Sequence, residues 1–273
     1  MKSFELVKTW EVEKVSIGVI KFGQKPKTTS LQKENFQLAS VTKLFTTYTA
    51  LIAIKDNVVG LEDEVGPCKG STLAHLLSHS SGLAFDKNNC LMPLETRRIY
   101  SNIGFEYIGN YISQKVKLPF GIYMKEKFFD ALGMDNSSLT GSPAAGAESN
   151  LEDLILFAQE LFSPSLIPPT TLSLATKPIF PDLGGILPGF GKQEPNDWGL
   201  GFEIKGHKTP HWTAPSNSEL TFGHFGRSGC FLWIDPKIKM SCIALTNRDF
   251  GPWAAQNWPV FNESIIRELT PNS

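Results

Sequence analysis

The sequence predicts an α/β fold in which a mostly antiparallel sheet is flanked by helices and carries a helical lobe. Residues 14–23, near the N-terminus, are rich in β-branched residues, and short strand-like segments separated by turn residues follow one another between residues 198 and 248. Between these segments, residues 71–162 show mostly the apolar spacing of helices. Because strands lie at both ends of the chain and helices lie between them, we expect one sheet that is closed by the two termini.

Each element follows from its local pattern. Residues 14–23, KVSIGVIKFG, predict a strand that turns into a second strand. The predicted helices are STLAHLLSH, NIGFEYIGNYISQKV, GIYMKEKFFDALGM and NLEDLILFAQELF. Residues 163–195 contain seven prolines and are predicted to be mainly loop that borders a cleft. The segments WGLGFEIKG, ELTFGHFG, GCFLWIDP and MSCIALTNR predict short strands, and residues 253–269 predict a last helix.

Length and composition indicate a single globular domain. With 273 residues, of which 41% are hydrophobic and 19% charged, the chain can bury a substantial core. We expect one domain, with an α/β lobe at about residues 1–60 and 196–273 and a helical lobe with loops at about residues 61–195. The net charge of −1 and the lack of long basic runs predict no nucleic-acid partner and no membrane partner, which favours small-molecule chemistry.

The N-terminus and the cysteines predict a cytoplasmic protein. The first residues carry scattered charges and no apolar segment of the signal-peptide kind. The chain has four cysteines, which are Cys68, Cys90, Cys230 and Cys242. None has CxxC spacing, so we expect reduced and mostly buried thiols.

Two histidines raise the question of a metal site. His75 and His79 stand four residues apart on one predicted helix, but the segment HLLSH lacks the glutamate of the HExxH motif. A zinc site that also uses Cys68 and Cys90 is one alternative. We expect instead that both histidines pack and hydrogen-bond at the end of a helix, and that the protein binds no metal.

Residues 35–54 predict a buried helix with a lysine near its start. Within residues 40–54 Lys43 is the only charged side chain, and apolar side chains surround the helix, as in a central helix. Burial lowers the pKa of a lysine because the ammonium loses its hydration. Ser40 precedes Lys43 by three residues, on the same face, where the first turn has unpaired N–H groups. The pair indicates a serine nucleophile with a lysine base.

This pair has a purely structural alternative. In that interpretation Ser40 is an ordinary helix N-cap and the Lys43 side chain extends to the surface. The Ser-x-x-Lys pattern also occurs at Ser30 and Lys33, but in a polar stretch without an apolar helix to lower the lysine pKa. The surrounding sequence therefore favours Ser40 and Lys43 as the functional pair.

Two further motifs follow in the order found in a known family. Tyr100, Ser101 and Asn102 precede a helical run, and GHFGRSG lies in a predicted strand at residues 223–229. With SVTK, they keep the order of the three active-site motifs of serine β-lactamases and penicillin-binding proteins. The similarity extends to LAHLLSHSSGL, YSNIGFEYIGNYI, ALGMDNSSL, WGLGF, HFGRSGCFLWIDP and IALTNR. The sequence resembles the class C β-lactamase-like serine hydrolases, a group that includes esterases and D-amino peptidases.

The resemblance implies the β-lactamase and transpeptidase-like fold and a role for each motif. Ser40 would be the acylated nucleophile and Lys43 its proton acceptor. Tyr100 would protonate the leaving group and later help a water molecule to attack the acyl-enzyme. Asn102 would hold a substrate amide or Lys43. The structural alternatives are a core aromatic for Tyr100 and a helix N-cap for Asn102.

The third motif, His224-Phe225-Gly226, would contact the substrate. The backbone N–H of Arg227 would join that of Ser40 in binding an oxyanion. β-Lactamases have Lys-Thr-Gly at this motif, and histidine at the first position is similar to the esterase-like members. Phe225 lacks the hydroxyl that helps to bind a substrate carboxylate, which argues against β-lactam specificity.

These observations predict a serine hydrolase that needs no cofactor. It would cleave a small-molecule ester, amide or peptide through a Ser40 acyl-enzyme, and esterase-like activity is the first expectation. A D,D-peptidase or weak β-lactamase is the competing enzyme. A catalytically silent ligand-binding module is the alternative of a different class. No phosphate-binding glycine loop and no GxSxG segment occurs, so an α/β-hydrolase triad is not supported.

Overall fold

A computed structural model of the protein describes residues 1–29 and 34–270. The second Ser-x-x-Lys pair, Ser30 and Lys33, lies outside the described residues. The helices are α1 (Thr42–Lys55), α2 (Leu73–Leu77), α3 (Asn102–Val116), α4 (Phe120–Met124), α5 (Asp130–Leu132), α6 (Leu151–Phe162), α7 (Pro169–Ala175) and α8 (Pro252–Leu269). A 3₁₀ helix, Lys2–Trp10, opens the chain, and a π-helical turn, Lys125–Phe129, joins α4 to α5.

The largest sheet is antiparallel and contains strands from both ends of the chain. The strands are β1 (Val15–Lys21), β2 (Lys27–Thr28), β3 (Phe36–Gln37), β4 (Ser138–Leu139), β5 (Ala147–Ser149), β6 (Gly185–Leu187), β7 (Gly191–Gln193), β8 (Glu203–Ile204), β9 (Phe222–Phe225), β10 (Phe231–Asp235) and β11 (Met240–Thr246). The six-stranded sheet has the order β2-β1-β11-β10-β9-β8. β1 pairs with β11 along its whole length, from Val15 opposite Thr246 to Lys21 opposite Met240. The prediction of a sheet closed by both termini is confirmed.

The sheet separates two apolar cores. Successive residues of a strand point to opposite faces, and in β10 Leu232 and Ile234 join the core around α1, whereas Phe231 and Trp233 join the core beneath α8. Helix α1 lies in the larger core and is buried from Thr42 to Ala53. This position explains the apolar side chains around its whole circumference. The chain therefore has the helix–sheet–helix layers of the predicted α/β class, while the lobe boundaries near residues 61 and 195 stay a prediction.

The proline-rich span is more ordered than the sequence predicts. Residues 163–195 contain α7 and a hairpin of β6 and β7, in which Gly185 lies opposite Gln193. Helix α7 begins at Pro169, and a proline fits the first helical turn because its missing N–H would have no partner there. Most of the span is loop, as predicted, and α7, β6 and β7 are the exceptions that the sequence did not predict.

The prediction of four reduced cysteines is wrong for two of them. Cys68 and Cys90 form a disulfide, with their Cα atoms 5.7 Å apart and a separation of 22 in the sequence. An isolated bridge between Leu83 and Cys90 closes the loop that brings Cys90 to Cys68. Cys230 and Cys242 are free and buried. Among residues 1–29 and 34–270, no helix combines the length and apolar character that crossing a bilayer requires.

Candidate active site

Ser40 lies in a sharp turn immediately before α1. It belongs to a 3₁₀ turn, Ala39–Val41, and the α-helix begins at Thr42 rather than at residue 40. Ala39 has φ +44°, in the left-handed region that residues other than glycine rarely adopt. Strained backbone of this kind clusters at functional sites, where the surrounding structure holds it in place. The turn presents the Ser40 side chain beside the first turn of α1.

Lys43 is fully buried, and its hydrogen-bond partners in the described part of the chain are all neutral. Its side chain is 0% exposed. Nζ lies 2.7 Å from Asn102 Oδ1, 2.9 Å from the Ala144 carbonyl oxygen and 3.3 Å from Ser40 Oγ. The ammonium does not reach solvent, so the alternative in which Lys43 extends to the surface is wrong.

Burial makes the amine of Lys43 a base near neutral pH. Loss of hydration lowers its pKa to about 7, although the carboxylates of Glu106 and Asp86 oppose this shift. Neither carboxylate forms an ion pair with Nζ within the described residues. A substantial fraction of Lys43 is therefore neutral at pH 7 and able to accept a proton.

Asn102 holds Lys43 in place. Its Oδ1 accepts a hydrogen bond from Lys43, and its Nδ2 donates to Asp86 Oδ1 at 3.2 Å. The N-cap of α3 is Ser101, whose Oγ accepts a hydrogen bond from the Gly104 N–H at 3.1 Å. The interpretation of Asn102 as the N-cap is therefore wrong, and its side chain lies in the site.

Tyr100 places its hydroxyl between Ser40 and the third motif. The phenol oxygen lies 3.3 Å from His224 Nε2, and Lys43 Nζ lies 4.7 Å from the centre of the ring. Burial raises the pKa of Tyr100 above its usual range, and a hydrogen bond with Ser40 opposes that shift. Tyr100 is therefore a neutral phenol near neutral pH, and its hydroxyl faces the nucleophile.

The hydrogen bonds of His224 determine its tautomer. Nδ1 lies 2.6 Å from the Phe225 carbonyl oxygen, which only accepts, so Nδ1 carries the proton. Burial and the charge of Lys43 lower the pKa of His224 to about 3, so the ring is neutral at neutral pH. Nε2 is consequently an acceptor, and the Tyr100 hydroxyl donates to it.

The other residues of the third motif have different surroundings. The Phe225 ring packs 4.9 Å from that of Phe250, in the core beneath α8. At Gly226 a Cβ would lie 2.3 Å from the Leu38 carbonyl oxygen and 3.2 Å from the Ser40 nitrogen, so only glycine allows β9 to approach the nucleophile this closely. The Arg227 side chain is 87% exposed, with Nε 3.6 Å from Asp249 Oδ2.

A cavity of about 280 Å³ opens beside Ser40. The sequence-predicted residues among its lining are Ser40, Tyr100, His224, Phe225 and Arg227. Sequence reasoning did not identify the others, which are Phe85, Leu187, Pro188, Gly189, Trp198, Glu203 and Phe250. Trp198 lies within the family-like segment WGLGF, which is the one signal that points to it. Side chains from several distant loops meet here, and most of them are apolar.

The histidines considered for metal binding have structural partners. His75 Nε2 lies 3.1 Å from a Glu95 carboxylate oxygen, and His79 Nδ1 accepts a hydrogen bond from the Ser101 N–H at 3.1 Å. Cys68 and Cys90 bond to each other and do not join them. No three side chains of His, Cys, Asp or Glu converge on one point within residues 1–29 and 34–270.

Comparison with known proteins indicates the same family as the sequence motifs do. A β-lactamase from Mycobacterium bovis is 42% identical, with 98% of this chain and 99% of that chain covered and a TM-score of 0.95. The hydrolase EstCE1, described as having promiscuous acyltransferase activity, is 15% identical, with 96% of each chain covered and a TM-score of 0.77. A penicillin-binding protein from Bacillus halodurans is 16% identical, with 99% of each chain covered and a TM-score of 0.76. The last two likenesses concern the fold alone.

None of the curated proteins compared with the chain matches it. The sequence model of the β-lactamase family matches residues 16–263, which include every residue of the candidate site. The chain therefore belongs to the β-lactamase family and has the β-lactamase and transpeptidase-like fold.

Proposed function

We propose that this member of a serine hydrolase family cleaves small, uncharged esters through an acyl-enzyme on Ser40. The observation that carries the proposal is the fully buried Lys43, whose pKa of about 7 and 3.3 Å approach to Ser40 Oγ suit a general base. The remaining groups that acyl transfer requires lie around the same cavity.

Acylation starts with neutral Lys43. Its amine accepts the Ser40 proton while Oγ attacks the ester carbonyl carbon. Negative charge develops on the carbonyl oxygen, and the backbone N–H groups of Ser40 and Arg227 stabilise it. Tyr100 then delivers a proton to the departing alcohol oxygen, and the proton held by Lys43 replaces it.

Deacylation reverses these proton transfers. A water molecule takes the place of the departed alcohol and gives a proton to Lys43, through Tyr100, as it attacks the acyl carbon. The ester bond to Ser40 breaks, the acid leaves, and Oγ regains its proton from Lys43. In the resting state His224 Nε2 accepts a hydrogen bond from the Tyr100 hydroxyl. The lone pairs of the phenol oxygen can then face Ser40 and Lys43.

The preference for uncharged substrates rests on the charges around the cavity. His224 is neutral, and Phe225 offers no side-chain donor. The Arg227 guanidinium points to solvent, beside Asp249. Among the described residues that line the cavity, Arg227 is the only cationic one, so a carboxylate, which β-lactams and peptide C-termini carry, would find no buried cation there.

A weak β-lactamase or D,D-peptidase is the second candidate. The Mycobacterium bovis structure described as a β-lactamase is 42% identical over 98% of this chain. This identity favours the β-lactamase candidate, because the esterase-like neighbours are much less similar in sequence. The two candidates share the acylation chemistry and differ in what anchors the substrate.

The proposed nucleophile is tested by covalent labelling. A fluorophosphonate should add once, at Ser40, and Ser40→Ala should remove both the adduct and the hydrolysis of a p-nitrophenyl ester. Ser30→Ala, in the second Ser-x-x-Lys pair, is the matched control and should do neither. Intact-protein mass measures the adduct. Labelling that persists in Ser40→Ala contradicts the assignment, and no labelling in the wild type favours a silent ligand-binding module.

The substrate class is tested by the ratio of kcat/KM for a p-nitrophenyl acyl ester to that for a chromogenic cephalosporin. The wild type should prefer the ester. His224→Lys together with Phe225→Thr should shift the ratio toward the cephalosporin, because the pair introduces a cation and a hydroxyl. A wild type that already prefers the cephalosporin places the β-lactamase candidate first.

The expected partners and location complete the proposal. We expect a small-molecule ester, amide or peptide as substrate, with no cofactor, no nucleic acid and no membrane. The cytoplasmic location stays a prediction, and the Cys68–Cys90 disulfide favours an oxidising compartment against it.

A further inference from the structure

The side chains that line the cavity beside Ser40 form two groups by their mutual contacts, which we take as its two ends. One end holds Tyr100, with Phe85 stacked at 5.9 Å from its ring and Trp198 at 5.8 Å. The other end holds Phe250 and the tip of the β6–β7 hairpin, Leu187 to Gly189. His224 faces the first end and the Phe225 ring packs at the second, because neighbouring residues of β9 point to opposite sides.

The second end is a wall built around Phe250. At Gly189, with φ +77°, a Cβ would lie 2.6 Å from Phe250 Cε1, so the hairpin backbone rests directly against the ring. The Phe225 ring, at 4.9 Å, and the Trp258 ring, at 5.2 Å, support Phe250 from the core side.

Phe250 is also tied to the strand that carries the third motif. Its N–H donates to the Arg227 carbonyl oxygen at 2.7 Å. Phe225 stands where β-lactamases have a residue with a hydroxyl group. Its ring packs against Phe250 and so supports the residue that ends the cavity.

We propose that Phe250 is a specificity-determining residue that limits the length of the substrate acyl chain, while Phe85 contacts the alcohol group. This inference rests on the proposed ester hydrolysis. Tyr100 protonates the leaving oxygen, so the alcohol lies at the end that holds Tyr100 and Phe85. The acyl chain then extends from Ser40 toward Phe250 and the hairpin.

The dimensions of the cavity set the expected chain length. Its volume, about 280 Å³, lies just below the range of about 300–1,000 Å³ that is usual for ligand sites. For short acyl chains, kcat/KM should rise by about fourfold for each methylene, the fold-change that corresponds to about 0.8 kcal/mol of apolar burial. Once the chain reaches Phe250, kcat/KM should fall.

The test uses two ester series and matched Phe→Ala variants. The first series lengthens the acyl chain of p-nitrophenyl esters, and the second lengthens the alkyl alcohol of acetate esters. Phe250→Ala should move the acyl-length optimum to longer chains and leave the shape of the alcohol profile as it was. Phe85→Ala should alter the alcohol profile and leave the acyl optimum in place.

Two further variants keep the experiment decisive. Phe250→Leu should shift the acyl optimum less than Phe250→Ala, and it provides the test if the alanine variant does not fold. Phe22→Ala, at a half-exposed ring that packs on Phe162, should change neither profile.

Each outcome bears on one proposal. If Phe250→Ala and Phe250→Leu keep the wild-type acyl optimum while still cleaving esters, Phe250 does not limit the acyl chain and the esterase proposal stands. If the Phe250 variants change the alcohol profile instead, the two ends are assigned the wrong way round. If the folded wild type cleaves no ester in either series, the proposed function itself fails.

Discussion

Two buried lysines, Lys43 and Lys208, show how partners decide what a buried amine does. Both are almost completely removed from solvent, and burial lowers the pKa of each. Lys43 hydrogen-bonds to Asn102, to Ser40 and to a backbone carbonyl, all of them neutral. Lys208 donates directly to the carboxylate of Glu203, and also to the Asp197 carbonyl oxygen at 2.7 Å.

The region around Lys208 is a closed ion-pair network. His211 Nε2 lies 3.1 Å from each carboxylate oxygen of Glu203, and the Trp212 indole N–H donates to the same carboxylate at 2.9 Å. Burial disfavours the charged form of Glu203, but Lys208 and His211 outweigh burial and hold its pKa well below the usual range.

Lys43, the proposed base, and Lys208 differ in their nearest neighbours. Burial lowers the pKa of Lys208, and the carboxylate of Glu203, in direct contact, opposes that shift because it stabilises the ammonium. The carboxylates of Glu106 and Asp86 act on Lys43 only from a distance. Loss of hydration therefore has the larger effect and lowers the Lys43 pKa to about 7. Lys43→Met should therefore affect chemistry, whereas Lys208→Met should affect stability.

The largest expected effect is that of Lys43→Met on acylation. Methionine has a similar length and no charge, so the protein should fold while fluorophosphonate acylation falls by about 10²-fold or more, the low end for a lost general base. Lys55→Met, in the last turn of the same helix, is the control and should acylate at the wild-type rate. Normal acylation in Lys43→Met would show that another group accepts the Ser40 proton.

The next effect is that of Lys208→Met on stability. Removing one partner leaves the Glu203 carboxylate buried and uncompensated, a change that typically lowers the free energy of unfolding by about 3–5 kcal/mol. Urea denaturation measures the loss. Adding Glu203→Gln to Lys208→Met should recover part of it, because the unpaired charge disappears. If the double variant is less stable than the single one, the carboxylate is not the source of the loss.

The disulfide should contribute a somewhat smaller stability effect. It closes the segment that carries Phe85, which lines the cavity, and Asp86, which bonds to Asn102. For a loop closed over 22 residues, Cys68→Ser with Cys90→Ser should lower the free energy of unfolding by about 3 kcal/mol. Wild-type protein denatured without reductant should show two titratable thiols, those of Cys230 and Cys242. Four thiols in freshly purified protein would mean that the bridge does not form.

The smallest effect is a shift in pH dependence. Lys43 must be neutral to accept the Ser40 proton, so kcat/KM for an ester should rise with pH through about pH 7, the pKa of Lys43. The Asp86 carboxylate stabilises the ammonium and raises that pKa, so Asp86→Asn should move the midpoint of the profile to lower pH. The exposed Glu13, changed to Gln, should not move it. A shift to higher pH in Asp86→Asn would contradict the role given to Lys43.

Local sequence determined much of the fold and the main elements of the site. An apolar helix with a single lysine predicts that Lys43 is buried, because its neighbours along the chain leave it no polar face. The β-branched residues at 14–23 and the short strand-like segments between residues 198 and 248 predict the antiparallel sheet that the two ends of the chain share. The order of the motifs that contain Ser40, Tyr100 and His224 predicts the β-lactamase family. The match of the family model to residues 16–263 confirms that family.

Tertiary structure decided what depends on contacts between distant segments. Cys68 and Cys90 carry no spacing signal, and only the folded loop brings their Cα atoms to 5.7 Å. The Arg227 side chain lies beside Asp249 only in the folded chain, and Phe250 meets Gly189 from another part of the sequence. Lys208 has no apolar helix around it in the sequence, and it is buried because Glu203 and Trp198 pack against it. Patterns along a chain report its local periodicity, whereas these features need two segments to meet in space.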